Sequence, residues 1–568
     1  MSPTPEKPES APLGPPSPVE AIKLKSHGLR GTLTQSLDEQ LTGALAADDQ
    51  QLVKFHGIYQ QDDRDRREER ERRKLERAYS FMVRLRLPGG DISAEQWQAI
   101  ERIADLNGTG IVKITTRQTV QIHGVVKSKL RPTVQWFHDN GMDSIAACGD
   151  VNRNVVAAAR SSVSPFYKEA FGFAAAISEH LMPKSRAFFE VWLDGEKLEA
   201  EKPADAEEDP LYQKRYLPRK FKIAIAIPPD NDADVLSNDI GLIAIEEAGK
   251  LAGFNVAIGG GMGMTHGNPK TYPRIATVIG FAPKEKLLDV VWQIVTVQRD
   301  FGNRSDRSLA RLKYTVDRME VEGFSRELAT RLGYALAPAR PFLFTTRADQ
   351  FGWHQDKDGL WDCTLFVESG RVVDADDYPL KSTLLEIAKT GKCRFRFTAN
   401  QNILLTGISA KDKSAIEAVL ESSGIARKYF SAIRRDSLAC VALNTCPLAL
   451  AEGQRYLPSL ITRIEALLEK HTLGNAPVSI RMTGCPNGCA RPHMAEIGLI
   501  GRSPGHYNLY LGGDSLGMRL NTLYAENLEE EGILNTLDPL LAGYAKDRIA
   551  QESFGDYCQR AARTGGDI

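Results

Sequence analysis

The chain has 568 residues, too many for one hydrophobic core, and its 42% hydrophobic and 26% charged composition is that of an ordinary soluble enzyme. A net charge of −1 supplies no global field to attract nucleic acid or an anionic membrane, so any anion site must be built locally. No apolar run is long enough to span a bilayer, and eight cysteines are too few for a disulfide scaffold.

In chain order, the first twenty residues hold seven prolines with Glu6 and Glu9, which predicts a disordered tail over 1–28 rather than a signal or transit peptide, and hence a cytoplasmic protein. From Asp62 to Arg77 charges of both signs interleave, the pattern of a solvated helix laced with i,i+4 pairs. Phe81, Val83, Leu85 and Leu87 then alternate with Met82, Arg84 and Arg86 up to Pro88-Gly89-Gly90, a half-buried strand ending in a turn. A helix over Ala94–Leu106 follows. A strand over Ile111–Gly124 comes next, with Lys113, Thr115, Arg117, Thr119, Gln121 and His123 on one face.

That pattern returns as a strand at Thr364–Val367, a helix at Leu380–Lys389 and a strand at Arg394–Thr406. The segments Thr115–Val120 and Thr398–Ile403 resemble one another. Gly249–Gly261 and Gly498–Gly513 also match, each an apolar strand delivered into a glycine cluster. The order A-B-A′-B′ implies two repeats of a two-part unit folded together with pseudo-twofold symmetry.

Basic residues sit inside otherwise apolar strands. Arg84 and Arg86 leave one strand and Lys113 and Arg117 its partner; Arg153 follows, and Lys220 and Lys222 share a face of a β-like segment over Lys220–Ile227. On a chain without net charge this predicts an interior anion site, in which arginine offers planar forks and lysine a movable charge and proton donor. The glycine-rich loop Gly259–Asn268, with Gly260 and Gly261 at its start, can bring backbone N–H groups close to anionic oxygens. It matches neither the dinucleotide fingerprint nor the phosphate loop. With no site for NAD(P) or ATP, a redox centre here must take its electrons from another protein.

Four cysteines complete the inventory, as Cys440-x5-Cys446 and Cys485-x3-Cys489. Thiolates so gathered suit a soft metal, and a cysteine followed by proline (Cys446-Pro447, Cys485-Pro486) recurs in iron–sulfur ligation. Structural zinc is the alternative, though paired zinc cysteines favour two to four intervening residues. Cys446-Pro447 is read as opening a helix whose apolar positions run from Leu457 to Leu468, which would place the thiolate at a helix N-terminus. Cys148, Cys363, Cys393 and Cys558 are read as thiols without function, and His123, His266 and His493, taken singly, as hydrogen-bonded core or surface residues.

The segments Thr445–Ala449, Thr483–Cys489 and Tyr507–Gly513 resemble the cluster region of the sirohaem-carrying sulfite and nitrite reductases. Phe55–Asp65 and Arg117–Gly124 resemble assimilatory sulfite reductase more narrowly, and the stretch Tyr59–Asp65 resembles the haemoprotein (beta) subunit of the NADPH-dependent enzyme. The likeness runs from about Leu29 to Tyr557.

This resemblance implies an α+β fold of two pseudo-symmetric repeats around a shared cofactor site, each a ferredoxin-like half-domain plus a sirohaem-binding α/β domain. The expected segments are an N-terminal arm and charged helix (29–78), half-domains at 79–150 and 341–425, and sirohaem-binding domains at 151–340 and 426–568. It implies that Cys440, Cys446, Cys485 and Cys489 hold a 4Fe–4S cluster and that Cys489 also bridges to the sirohaem iron. Arg84, Arg153, Lys220 and Lys222 would surround sulfite. Lys113, Arg117, Gln121, His123, Gly260 and Gly261 would face the cofactor; Lys113 departs from the arginine common there. The implied reaction is six-electron reduction of sulfite to sulfide in sulfate assimilation and cysteine biosynthesis. The implied donor is a flavoprotein (alpha) subunit using NADPH, FAD and FMN in a hetero-oligomer, with ferredoxin the alternative donor, since Ala147–Asp150 resembles ferredoxin-dependent relatives. The competing readings are a sirohaem nitrite reductase and a non-catalytic iron–sulfur or zinc protein.

Overall fold

The computed structural model describes residues 14–160, 164–184, 192–193, 196–197, 208–356 and 358–563. Its frame is four five-stranded sheets in two matching pairs. The first antiparallel sheet runs Ile58–Asp62, Tyr79–Arg84, Val120–Val125, Val112–Ile114 and then Arg371–Val372. Its counterpart runs Gly352–Gln355, Trp361–Leu365, Ile403–Ile408, Arg394–Phe397 and then Asp91–Ile92. Each sheet is therefore completed by a two-residue strand from the other repeat. One core lies between them: Trp97, fully buried, stacks on Phe395 at 5.3 Å between ring centroids. That core holds the helix Ala94–Asn107, started by a reciprocal Ser93–Gln96 capping box, against the helix Leu380–Lys389.

The other two sheets share one topology. Val156–Ala157, Ile223–Ala226 and Ile240–Glu247 run parallel, and Lys250–Ile258 and Thr277–Pro283 return antiparallel. In the second repeat Ser437–Ala439, Ile480–Thr483 and Ile497–Ser503 are parallel, and His506–Leu511 and Thr522–Leu528 antiparallel. The repeat read from the sequence is thus a repeat of topology. Each of these sheets has its own core of aliphatic side chains, helices included. Among the described residues no helix is long and apolar enough to cross a membrane.

The structure corrects several expectations. Of the expected tail, 1–13 lies outside the described residues, but Pro18–Lys25 is a helix. Lys23 holds it down: its ammonium is buried and donates to Glu20 at 2.5 Å and to the Leu217 carbonyl at 2.8 Å. The charged stretch yields only the short helix Arg67–Arg72, because Ile58–Asp62 is drawn into the first sheet. The strands expected over Ile111–Gly124 and Arg394–Thr406 are hairpins, since Gln118 (φ 51°) and Gln401 (φ 68°) turn the chain back. The helix expected at Cys446-Pro447 begins at Leu457 instead, with Pro458 taking the first-turn place suited to proline.

Candidate active site

The two hairpin tips face the parallel sheets in the same way. Gln118 Nε2 donates to Ala157 O at 2.6 Å and its oxygen accepts from Ala157 N at 2.8 Å. Gln401 accepts from Ala439 N at 3.2 Å and donates to Ile114 O at 3.2 Å. The bonds to Ala157 and Ala439 dock each half-domain onto the first strand of the following α/β sheet, the bond to Ile114 ties the two half-domains together, and Thr116 in the first tip reaches the cysteine loop.

That loop, Cys485–Cys489, is built from both repeats. Met264 N donates to Pro486 O at 2.7 Å. A side chain at Gly488 (φ 62°) would lie 2.9 Å from Met262 O, so the close approach of the two loops requires glycine. Cys446 sits in a turn held by Arg64, whose Nη1 donates to Ala449 O at 2.5 Å and Cys446 O at 3.4 Å. Asn444 Nδ2, two residues before Cys446, donates to Asp63 Oδ1 at 2.7 Å. The Asp63-Arg64 stretch, read as a solvated face, is therefore an anchor for the cysteine region.

The four thiols are neighbours, Cys485 buried, Cys440 and Cys446 half-buried and Cys489 exposed at the mouth of the pocket. Burial pushes Cys440 well above its ordinary pKa; Cys489, Cys485 and Cys446 push it further, while Gly484 N–H, 3.3 Å from Cys440 Sγ, works the other way. Burial and Cys489 likewise raise Cys446 to about 12, against N–H groups of Leu448 and Ala449, and raise Cys485, against the Asn487 amide at 3.4 Å. The helix dipole expected at Cys446 is thus replaced by local N–H donors. Among the described residues no three His, Cys, Asp or Glu side chains form a group that could hold a single metal ion. A donor set of four neighbouring thiols, three of them receiving N–H bonds, fits a 4Fe–4S cluster, whose positive charge supplies what the thiols need to ionise.

Around this pocket lie cations, Arg153 buried and Lys220, Lys222 and Arg84 half-buried. Burial brings Lys220 to about 7 and Lys222 well below its ordinary value; Arg219 adds to the first shift, and Lys220, Arg311 and Arg117 to the second. In both, Cys489 is the group that opposes the fall. Among the described residues neither ammonium has a hydrogen-bonded partner, whereas Lys222 N–H donates to Asp239 Oδ2 at 2.9 Å. Arg153 is fixed by donating to Gly149 O at 2.8 Å and to the Tyr59 hydroxyl at 3.4 Å. Arg84 Nη1 lies 3.4 Å from Cys148 Sγ, so that thiol borders the site. Gln121, its amide turned to face Arg84, accepts from Arg84 Nε at 3.2 Å, and the other end of the amide lies 3.3 Å from His123 Nε2. Burial holds His123 down at about 3, a neutral ring whose Nδ1 pairs with Gln61 at 3.0 Å. A pocket with this much uncompensated positive charge fits a polycarboxylate macrocycle and a small anion together.

Four expected residues are placed differently. Lys113, brought to about 7 by burial, donates to Ser369 O and lies beside Cys440, so it borders the four-cysteine group. Arg117 donates to Asn238 Oδ1 at 2.5 Å and Ile223 O at 3.0 Å, leaving only its buried Nε without a partner. The N–H groups of Gly260 and Gly261 donate to Asn238 O and Arg274 O, so they are not available to anionic oxygens. Glycine is needed at 260 because a Cβ would stand 2.2 Å from Leu236 O. The sequence reading missed Lys313, which holds this loop through Gly261 O and Gly263 O, and Arg311, which forks onto Asp239. It also missed Asp234, which gathers Arg481, Arg491 and Arg347. None of these stands in a recognisable motif.

The family description "Nitrite and sulphite reductase 4Fe-4S domain" matches residues 174–336, and "Nitrite/Sulfite reductase ferredoxin-like half domain" matches 73–135 and 354–423. The chain belongs to the nitrite and sulfite reductase family. Within that family it is 59% identical over 544 residues to the sulfite reductase (NADPH) hemoprotein beta-component of Leptospira biflexa, covering 95% of this chain and 98% of that protein. It is 52% identical to the protein of the same name from Acidithiobacillus ferrooxidans, covering 96% of each. Among solved structures, Mycobacterium tuberculosis NirA shares the fold with a TM-score of 0.76 at 22% identity, over 97% of each chain. The half-domain matches coincide with the two strand-exchanged sheets. The matched 4Fe-4S description falls on the first repeat, whereas the four cysteines lie in the second.

Proposed function

We propose that this chain reduces sulfite to sulfide as the haemoprotein subunit of an assimilatory sulfite reductase, with sirohaem and a 4Fe–4S cluster as cofactors. One observation carries the reading: the Cys489 thiol interacts both with the other three cysteines and with Lys220 and Lys222. Cys485 also feels Lys220, but Cys489 is the cysteine that acts on both lysines, which supports reading it as the bridging ligand. When bound, the coupled metals supply electrons one at a time to a substrate that stays in place.

The chain's own residues do the rest. Lys220 and Lys222, lacking protein acceptors, pair with sulfite oxygens and so regain the charge that burial costs them. A lysine restored to its charged form beside a departing oxygen can deliver a proton to it. Arg153, pinned by Gly149 and Tyr59, and Arg84, oriented by Gln121, present fixed donors that need no rearrangement as the S–O bonds break. His123 stays neutral and serves orientation.

The donor is a second subunit: the relatives' name, a beta-component of an NADPH enzyme, supports a partner component in a hetero-oligomer, and our reading of that partner is a flavoprotein carrying FAD and FMN. Ferredoxin is the alternative donor, and the expected compartment is the cytoplasm. Turnover of sulfite and of nitrite by the holoenzyme, both with reduced methyl viologen as donor, tests the assignment. Sulfide formation at a kcat/KM at least equal to that for nitrite is expected; rapid nitrite turnover with negligible sulfide would assign it to the nitrite reductases.

A further inference from the structure

The bridging cysteine is gripped by the opposite repeat. Cys489 O accepts from Thr116 Oγ1 at 2.9 Å, and Thr116 stands in the tip of the first-repeat hairpin. Thr116 O in turn accepts from Arg491 Nη1 at 2.9 Å, so two bonds running in opposite senses lock the hairpin tip to the cysteine loop. Arg491 cannot follow a moving loop. It is 6% exposed, its Nε donates to Asp234 Oδ2 at 2.5 Å, and its Nη2 donates to Ala399 O at 2.9 Å in the tip of the second hairpin. Burial alone would push the Asp234 carboxyl up, but Arg481, Arg491 and Arg347 hold it below the usual carboxylate range, so it remains an anchor.

We propose that Thr116 is a positioning residue for Cys489. Its hydroxyl fixes the cysteine's peptide plane relative to the rigid Asp234–Arg491 frame, which sets the direction in which Sγ leaves the backbone. The inference rests on the reading of Cys489 as the bridge between cluster and macrocycle. A terminal ligand tolerates a tilt, because its metal moves with it; a ligand shared by two rigid groups does not. Thr116 bonds to Cys489 and Arg491 and to none of Arg84, Arg153, Lys220 or Lys222 among the described residues, so its loss should alter the centre rather than anion binding.

The test compares Thr116→Val, which keeps shape and loses the hydroxyl, with Thr116→Ser, which keeps the hydroxyl, in the full-length holoenzyme. Thr116→Ala gives the same readout where valine is not tolerated. Measured are iron content, the electron paramagnetic resonance signal of the coupled centre, its midpoint potential, and kcat and KM for sulfite. The valine variant is expected to keep its iron and its KM, to shift both the signal and the potential, and to lose kcat about 10-fold or more, in line with outer-shell substitutions at metal sites. The serine variant should restore all of these. A valine variant with wild-type signal and potential overturns the proposal, as do equal losses in valine and serine, which would indicate packing alone. If the wild-type holoenzyme shows no magnetic coupling between haem and cluster, the bridging reading fails, and this inference with it.

Discussion

Asp234 and Arg491 occupy equivalent positions in the two repeats and bind each other. Each adopts a left-handed backbone (φ 45° and 55°) and opens a short 3-10 turn, Val235–Ser237 or Pro492–Met494, ahead of the third parallel strand of its sheet. Arg491 Nε meets Asp234 Oδ2 at 2.5 Å across the pseudo-twofold axis. A duplicated backbone has thus come to carry opposite charges at a point where its two copies touch. The same asymmetry places Lys222 N–H on Asp239 in one repeat and Ser479 N–H on Glu496 in the other, at 2.9 and 2.8 Å. One copy keeps the lysine for the anion pocket and the other keeps a neutral residue.

Asp234→Ala should therefore be among the most damaging substitutions outside the cysteines. It leaves three buried guanidinium groups without their shared carboxylate, and breaking such a pair costs about 3–5 kcal/mol. Thermal unfolding of the holoprotein should show a marked fall in Tm. An unchanged Tm would mean that the clasp adds nothing to stability.

Lys222→Ala should leave both cofactors bound while sulfide formation falls by about 10²–10³-fold, the usual cost of removing one preorganised donor. Sulfite turnover with an artificial donor, together with the visible spectrum, checks both halves. Full activity would remove Lys222 from the site.

Cys446→Ser should lose the cluster, because on the proposed reading the thiol is one of four ligands, it lies near Cys489 and Cys485, and hydroxyl oxygen is a poor soft-metal donor. Iron and acid-labile sulfide should fall together, and an intact cluster would contradict the ligand set.

Anion affinity should depend on pH through Lys220 and Lys222. Burial lowers both in the unliganded pocket, Lys220 to about 7, so Lys220 is charged below that value and loses its charge as pH rises through it, and Lys222 likewise loses its charge at lower pH than an ordinary lysine. A bound anion pulls the values up again, so the midpoint for the complex lies above about 7. Inhibition by sulfate, which does not titrate in this range, should be tighter near about pH 6 than near about pH 8.5. A flat profile would show that the lysines do not bear the anion.

Much of this was legible in the sequence. Strand alternation, the A-B-A′-B′ order, the cysteine spacing and the lysine pair at 220 and 222 all report local geometry, and local geometry is what periodicity and spacing encode. What stayed hidden depends on distant partners. The hairpin tips at Gln118 and Gln401 read as continuous strand because Thr115–Thr119 and Thr398–Asn402 hold no glycine or proline to mark a turn. Gly260 and Gly261 read as N–H donors because nothing local reveals that Asn238 and Arg274 take those bonds. Asp234, Arg481 and Arg491 lie up to 257 residues apart in the chain and matter only together.

The most direct test of the whole account is the absorption spectrum of the anaerobically purified chain, read with its iron content. Sirohaem bands together with iron sufficient for both a 4Fe–4S cluster and a tetrapyrrole are expected. A colourless protein that stays so after reconstitution with both groups, or one that carries zinc in their place, would contradict it.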